Sequence, residues 1–389
     1  MNEFTKVHSR KNTRSVKWDA IQSVFQSDDV LPMWVADMDF RAPEAVNEAL
    51  IKRAEHGIYG YTTIDDDVNS SVMNWLRKRH NWEIQKEWLS YSPGVVPSIQ
   101  MAIQACSKPG DGILIQTPVY TPFYRAVEVL NRKLIKNPLI YDNHTYSIDF
   151  EDFEKKLQQD VKIFVLCSPH NPIGRVWKRD ELTEIARLCL KYNVLIISDE
   201  IHCDLIYPGN KHIPIASLSD AISQQTITCM APSKTFNLAG LQASYIVIKN
   251  KSIRKKVTDA FEKQGFHMIN TMGNIAMEVA YKEGEPWLEQ LISVITKHKE
   301  YVISELESKT SLRVVQPEGT YLLWIDCSSL QLKTDELQRF MVEQAKVGLN
   351  AGLAYGEEGM QFMRLNIACP MDTLQEGIQR IIRAVNTNK

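Results

Sequence analysis

From residue 89 onward the chain alternates short apolar runs with longer segments whose apolar residues recur every three or four positions. The runs at 111–116, 161–167, 194–197, 226–230 and 243–248 have the length and the β-branched content of strands. Between them, Val96, Ile99, Ile103 and Cys106 form one helical stripe, and Leu182, Ile185, Ala186, Cys189 and Leu190 form another. A further helix is expected around 122–131. Strands alternating with helices predict an α/β fold, a mostly parallel sheet sandwiched by helices. Polar stretches follow the strand ends: 168–174 after one strand, Ser198-Asp199-Glu200 after another, and 231–241 between the last two. Open α/β sheets bind their ligands at those ends, so the shared position predicts one site.

The flanks read differently. Residues 1–40 are irregular and end in the apolar stretch 31–40, which holds Asp37 and Asp39. Pro43 opens a helix with Val46, Ala49, Leu50 and Arg53 at helical spacing, closed by Gly57. The turn Tyr59-Gly60-Tyr61 leads to a second helix over 67–79. Beyond 285 a long helix from Pro286 is followed by shorter α+β units at 312–316, 321–326, a helix from Asp335, 362–368 and a last helix. A chain of 389 residues exceeds one ordinary core. The expected organisation is an N-terminal strap over 1–44 contributing to the smaller domain, a large domain over 45–285, and a small α+β domain over 286–389.

Composition narrows the function classes. Hydrophobic content of 44% and charged content of 24% are those of a globular protein, and a net charge of -2 gives no reason to expect nucleic acid. No apolar run approaches the roughly 20 residues that a membrane helix needs. The basic run Lys6, Arg10, Lys11, Arg14 and Lys17 lacks an apolar signal core and leads at once to Trp18, which favours an ordered strap over a transit peptide. The 7 cysteines lie scattered in apolar segments, which predicts a reduced, cytoplasmic chain. None of the 9 histidines forms a helix-spaced ligand pair, so no metal is expected.

Lys234 stands out because no other charged residue lies between Asp220 and Lys249. A desolvated lysine has a lowered pKa and becomes a nucleophile toward an aldehyde. The plainer reading is a loop lysine whose head reaches water. Asp199 ends an apolar strand and needs either a cationic partner or a helix to cap. Gly94, Val95 and Val96 at a helix start offer backbone amides to a phosphate, though many helices begin near a glycine. Asn171 between two prolines is equally a turn residue, and Tyr120 a core aromatic. Arg364 sits mid-strand, where it requires an anion unless its edge faces water. Taken together, a buried lysine, a buried acid, an anion cradle and an aromatic plate match the needs of pyridoxal phosphate.

The order SPHNPIGR at 168–175, SDEIH at 198–202, APSKTFNLAGL at 231–241 and MRLNIACP at 363–370 resembles the fold-type I pyridoxal-phosphate enzymes of the class I/II aminotransferase family. The resemblance covers essentially the whole chain. WVADMDF at 34–40, DEIH and YGEEG at 355–359 are most similar to its carbon–sulfur lyase branch, the cystathionine β-lyase group. The resemblance implies that Lys234 forms the Schiff base and moves the α-proton. It implies that Asp199 pairs with the ring nitrogen, that Asn171 bonds the ring hydroxyl with His202 nearby, and that Tyr120 stacks on the ring. The amides of Gly94, Val95 and Val96, with Ser233, would hold the phosphate. Tyr61 would reach the phosphate in a neighbouring subunit, which implies a homodimer with active sites at the subunit interface. Arg364 would clamp the substrate carboxylate, helped by the backbone near Ala36 and by Asn171. Gln242 stands where many relatives carry a phosphate-binding arginine, and His202 where many carry a tyrosine.

The expected reaction is β-elimination from a sulfur amino acid such as cystathionine or cysteine, giving a thiol, pyruvate and ammonia. The nearest rival is an aminotransferase acting on an L-amino acid and a 2-oxo acid, since the same residues serve both. A regulatory protein that keeps the cofactor and binds a partner is a rival from another class.

Overall fold

The computed structural model describes residues 3–387. Its centre is a seven-stranded sheet in the order Leu89–Ser92, Ser244–Val247, Thr226–Met230, Leu195–Asp199, Val161–Cys167, Gly112–Thr117, Lys133–Pro138. All pairings are parallel except those of Ser244–Val247, which runs against both neighbours.

The period of two along each strand explains why both faces are covered. Ile113, Ile115, Ile163, Val165 and Ile197 pack with Ile99, Ile103, Phe123 and Val257 from helices on one face. The intervening Leu114, Phe164, Leu166 and Ile196 pack with Phe153, Leu182, Ile185 and Cys189 on the other. Every second residue therefore meets a different helical layer, and a strand between two layers has no polar face to spare. Asp199 and Cys167 lie opposite each other in register at strand ends, on the face of Ile197 and Val165. That parity aims the carboxylate toward helix Val95–Cys106.

A second, four-stranded antiparallel sheet has the order Arg313–Val314, Leu322–Asp326, Phe362–Asn366, Asn350–Ala351. The long helix Glu285–Lys309 buries Leu288, Leu291, Ile295, Val302 and Leu306, and the last helix, Met371–Thr387, buries Leu374, Ile378 and Ile381. The N-terminal segment joins this part, because Leu31–Pro32 pairs with Val347–Gly348.

Several elements differ from the sequence reading. Lys234 is not in an open loop but inside the helical turn Pro232–Thr235. Val96 leaves the apolar stripe of its helix and lines a cavity instead, while Val95 is buried. Strand Lys133–Pro138 and helices Phe150–Leu157, Lys251–Lys263 and Thr271–Glu283 carry too many charges or too few strong apolar repeats to stand out.

Candidate active site

The strand ends and helix Val95–Cys106 enclose a cavity of about 200 Å³. Lining it are Ala36, Gly94, Val95, Val96, Tyr120, Asn171, Asp199, His202, Ser233, Lys234 and Gln242. Two residues singled out from sequence lie elsewhere. Arg364 is buried beside Asn171, to whose Oδ1 it donates at 3.1 Å. Tyr61 is 97% exposed and does not line its own chain's cavity.

Lys234 donates from Nζ to the carbonyl of Ala36 at 2.6 Å. Burial, and the nearby Arg364 guanidinium, lower its ammonium to about 8. The amine is thus available near neutral pH. Asp199 is buried and accepts one hydrogen bond, from the Ile201 N–H at 3.1 Å. Burial pushes its carboxyl up to about 7 against the pull of that N–H and of Lys234. Such a carboxyl suits a cation brought into the cavity, which would restore the charged form. No helix follows Asp199 for it to cap. His202 is held neutral by burial, with Lys234 and Arg364 beside it, its pKa falling to about 3. Its Nδ1 has no partner.

Arg364 also donates to the Trp34 carbonyl at 2.8 Å and lies over the Tyr355 ring at 5.1 Å. Its Nε has no partner, and among the described residues it has no ion pair. A buried guanidinium without a carboxylate is a receptor for one.

The segment 34–40 is fixed through its backbone, which sequence reasoning missed. Asn366 Nδ2 donates to the carbonyls of Val35 and Asp37, each at 2.6 Å. Asn237 Oδ1 accepts from Met38 N–H, and its Nδ2 donates to the carbonyls of Met38 and Phe40. Tyr321 donates to the Ala36 carbonyl at 2.9 Å, so Lys234 and Tyr321 share that acceptor. The one available signal was an asparagine in an apolar strand, Asn366, where an amide needs partners. The strap is pinned to the same segment. Lys17, 1% exposed, meets Asp39 at 2.7 Å; Arg10 bonds Asp37 and Asp39; Trp18 Nε1 donates to Asp39.

The donor set fits pyridoxal phosphate, the cofactor that the resemblance implies. The amides of Val95 and Val96 stand at the N-terminus of a twelve-residue helix, where the helix itself uses no partner for them, and Gly94 precedes them in extended backbone with φ 170. Ser233 adds a hydroxyl, Lys234 an amine, Asp199 a carboxylate and Asn171 an amide, the kinds of group that such a cofactor's phosphate, aldehyde and ring require. Away from the cavity, His80, Cys203 and Asp204 bring ligand-type atoms within 4.8 Å of one another. There the Asp204 carboxylate is already bonded by Trp75, His80 and Thr235.

The profile of the family "Aminotransferase class I and II" matches residues 28–381. The chain belongs to that family. It is 46% identical over 385 residues to cystathionine beta-lyase PatB of Bacillus subtilis, covering 98% of this chain and all of that one (100%). It is 33% identical to protein MalY of Escherichia coli, with 99% of each chain covered. Among solved structures it superposes on cystalysin of Treponema denticola, which contains a pyridoxal 5'-phosphate cofactor, with a TM-score of 0.97, 38% identity and 100% of both chains covered. The fold is the fold-type I arrangement of these enzymes.

Proposed function

We propose that the chain is a pyridoxal-phosphate-dependent carbon–sulfur lyase that performs β-elimination on sulfur amino acids of the cystathionine or cysteine type. The observation that carries this reading is the contact of the WVADMDF segment with the catalytic lysine: Ala36 O accepts directly from Lys234 Nζ. That segment and the similarity to PatB, a cystathionine beta-lyase, run together along the chain.

When bound, pyridoxal phosphate supplies the aldehyde that captures the substrate amine and the ring that takes up the electron pair left at Cα. The protein does the rest. Arg364 binds the substrate α-carboxylate, oriented by Asn171 and the Trp34 carbonyl. Lys234, whose lowered pKa makes the free amine accessible, removes the α-proton, and the resulting ammonium can return it to the departing sulfur. Asp199 would accept from the ring nitrogen and favour its protonated form. Tyr120 would cover the ring face, and the amides of Val95 and Val96 with Ser233 would hold the phosphate. The products are a thiol, pyruvate and ammonia.

Tyr61 serves the site of a second subunit, so the active unit is a homodimer; its exposure of 97% supports this. Chains carrying Lys234→Ala and Tyr61→Ala, each inactive alone, should regain about a quarter of normal activity when mixed, because half the dimers keep one intact site. We place the enzyme in the cytoplasm and keep the division at 1–44, 45–285 and 286–389. A pyruvate-release screen over cystathionine, cysteine, cystine and S-alkyl cysteines tests the reaction. Amino-group transfer to a 2-oxo acid without pyruvate would instead favour the aminotransferase reading.

A further inference from the structure

The cavity around Lys234 adjoins a second cleft of about 580 Å³ that shares Ala36, Lys234 and Ala239 with it. The strap forms one wall and segment 35–41 the other. The smaller cavity has to seat the cofactor, so whatever extends beyond the substrate's sulfur needs this neighbouring space.

The charges on its walls are not balanced. Asp37 and Asp39 are the acids that line it, and both are taken: Arg10 bonds each of them, and buried Lys17 meets Asp39 from behind. His8 is paired with Glu3 at 2.8 Å. Arg14 lines the same cleft, is exposed, and makes no side-chain hydrogen bond or ion pair among the described residues. Its backbone is held at φ 62 by a turn whose N–H groups, those of Asn12, Thr13 and Ser15, all donate to Asp19. Among the described residues Arg41 has one ion pair, with Glu44 at 3.5 Å, and the two side chains are 45% and 62% exposed. Of these two guanidiniums facing the cleft, Arg14 has no carboxylate among the described residues and Arg41 has only the long, solvent-exposed contact with Glu44.

We propose that this cleft seats the sulfur substituent of the substrate, and that Arg14 and Arg41 select substituents ending in a carboxylate. Resting on the carbon–sulfur lyase reading, this makes the preferred substrates cysteine thioethers with an anionic distal end, over cysteine and S-alkyl cysteines. A guanidinium–carboxylate contact at a half-open site is expected to give about tenfold discrimination against a neutral isostere.

The test compares S-(2-carboxyethyl)-L-cysteine with its amide isostere, S-(2-carbamoylethyl)-L-cysteine, on the holoenzyme. Pyruvate release should favour the acid by about tenfold in kcat/KM, and the preference should shrink as salt rises, as expected for a solvent-accessible ion contact. In the Arg14→Gln/Arg41→Gln double variant the acid-to-amide ratio should fall to about one. Equal kcat/KM for the two thioethers in the wild type, or a ratio that survives in the variant, overturns the proposal; if the variant does not fold, the wild-type ratio and its salt response decide. Should neither thioether give pyruvate, the lyase reading fails on its own. Calorimetric Kd values for the two compounds then still decide the cleft: tighter binding of the acid supports it, equal affinity overturns it.

Discussion

The floor of the site and its wall are built by different means. The floor is the set of parallel strand ends, where Cys167, Asp199 and Cys229 lie side by side in register. Its geometry comes from ladder hydrogen bonds and two apolar layers, and side chains decide only which face each residue meets. The wall is segment 34–40, which has no partner strand beyond Leu31–Pro32 and is held by Asn237, Asn366, Asn350, Tyr321 and the strap. The two meet at the hydrogen bond from Lys234 to the Ala36 carbonyl, where the proposed chemistry lies. Damage to the floor should therefore cost stability, and damage to the wall should cost turnover.

The largest effect belongs to the junction. Lys234→Ala should lower pyruvate release by at least about a thousandfold, as loss of a group acting as both nucleophile and base does. Circular dichroism should show the fold intact.

Next comes a pH effect at the floor. Burial raises the Asp199 carboxyl from 3.8 to about 7, so between those values the folded apoprotein holds a proton that the unfolded chain has lost. Stability of the apoprotein should then fall as pH rises from about 4 to about 7 and level off above, by a few kcal/mol at about 1.4 kcal/mol per pKa unit. Urea titrations of apo Asp199→Asn should lack that component. Identical pH dependence in both proteins would show that the carboxyl is not held in its neutral form.

Ile197→Ala removes a fully buried side chain two residues from Asp199 and should cost about 2–5 kcal/mol in urea unfolding. The folded fraction should keep its kcat/KM within about threefold. Asn237→Ala is its counterpart in the wall. It deletes the bonds to Met38 and Phe40 and should cost only about 1–3 kcal/mol of stability. Its kcat/KM should fall by about ten- to a hundredfold, because the Ala36 carbonyl loses its fixed position. The reverse pattern in this pair would collapse the distinction between floor and wall.

The same distinction explains what could be read from the chain alone. Strand Val161–Cys167 and the polar stretches after the strands were legible because apolar period and burial coincide there. Lys234, Asp199, Asn171 and the Gly94–Val96 cradle then follow from their places at strand ends, and they meet in one cavity. Arg364 was ambiguous as an edge residue. The structure puts it in an interior strand between Leu322–Asp326 and Asn350–Ala351, which settles its burial. The wall was not legible, because side-chain bonds to backbone carbonyls across 197 to 331 positions leave no periodic trace. Lys17 shows this best: the chain alone shows it as one of a basic run in the strap, and it is buried against Asp39. Tyr61 needed the family resemblance, since nothing within one chain explains an aromatic so exposed.

The most direct measurement is the fate of the substrate amino group. With L-cystathionine and the holoenzyme, in the presence of a 2-oxo acid, β-elimination predicts one pyruvate and one ammonia for each homocysteine thiol released, with the 2-oxo acid left unconverted. Conversion of the 2-oxo acid to its amino acid, with no pyruvate and no thiol, would contradict it.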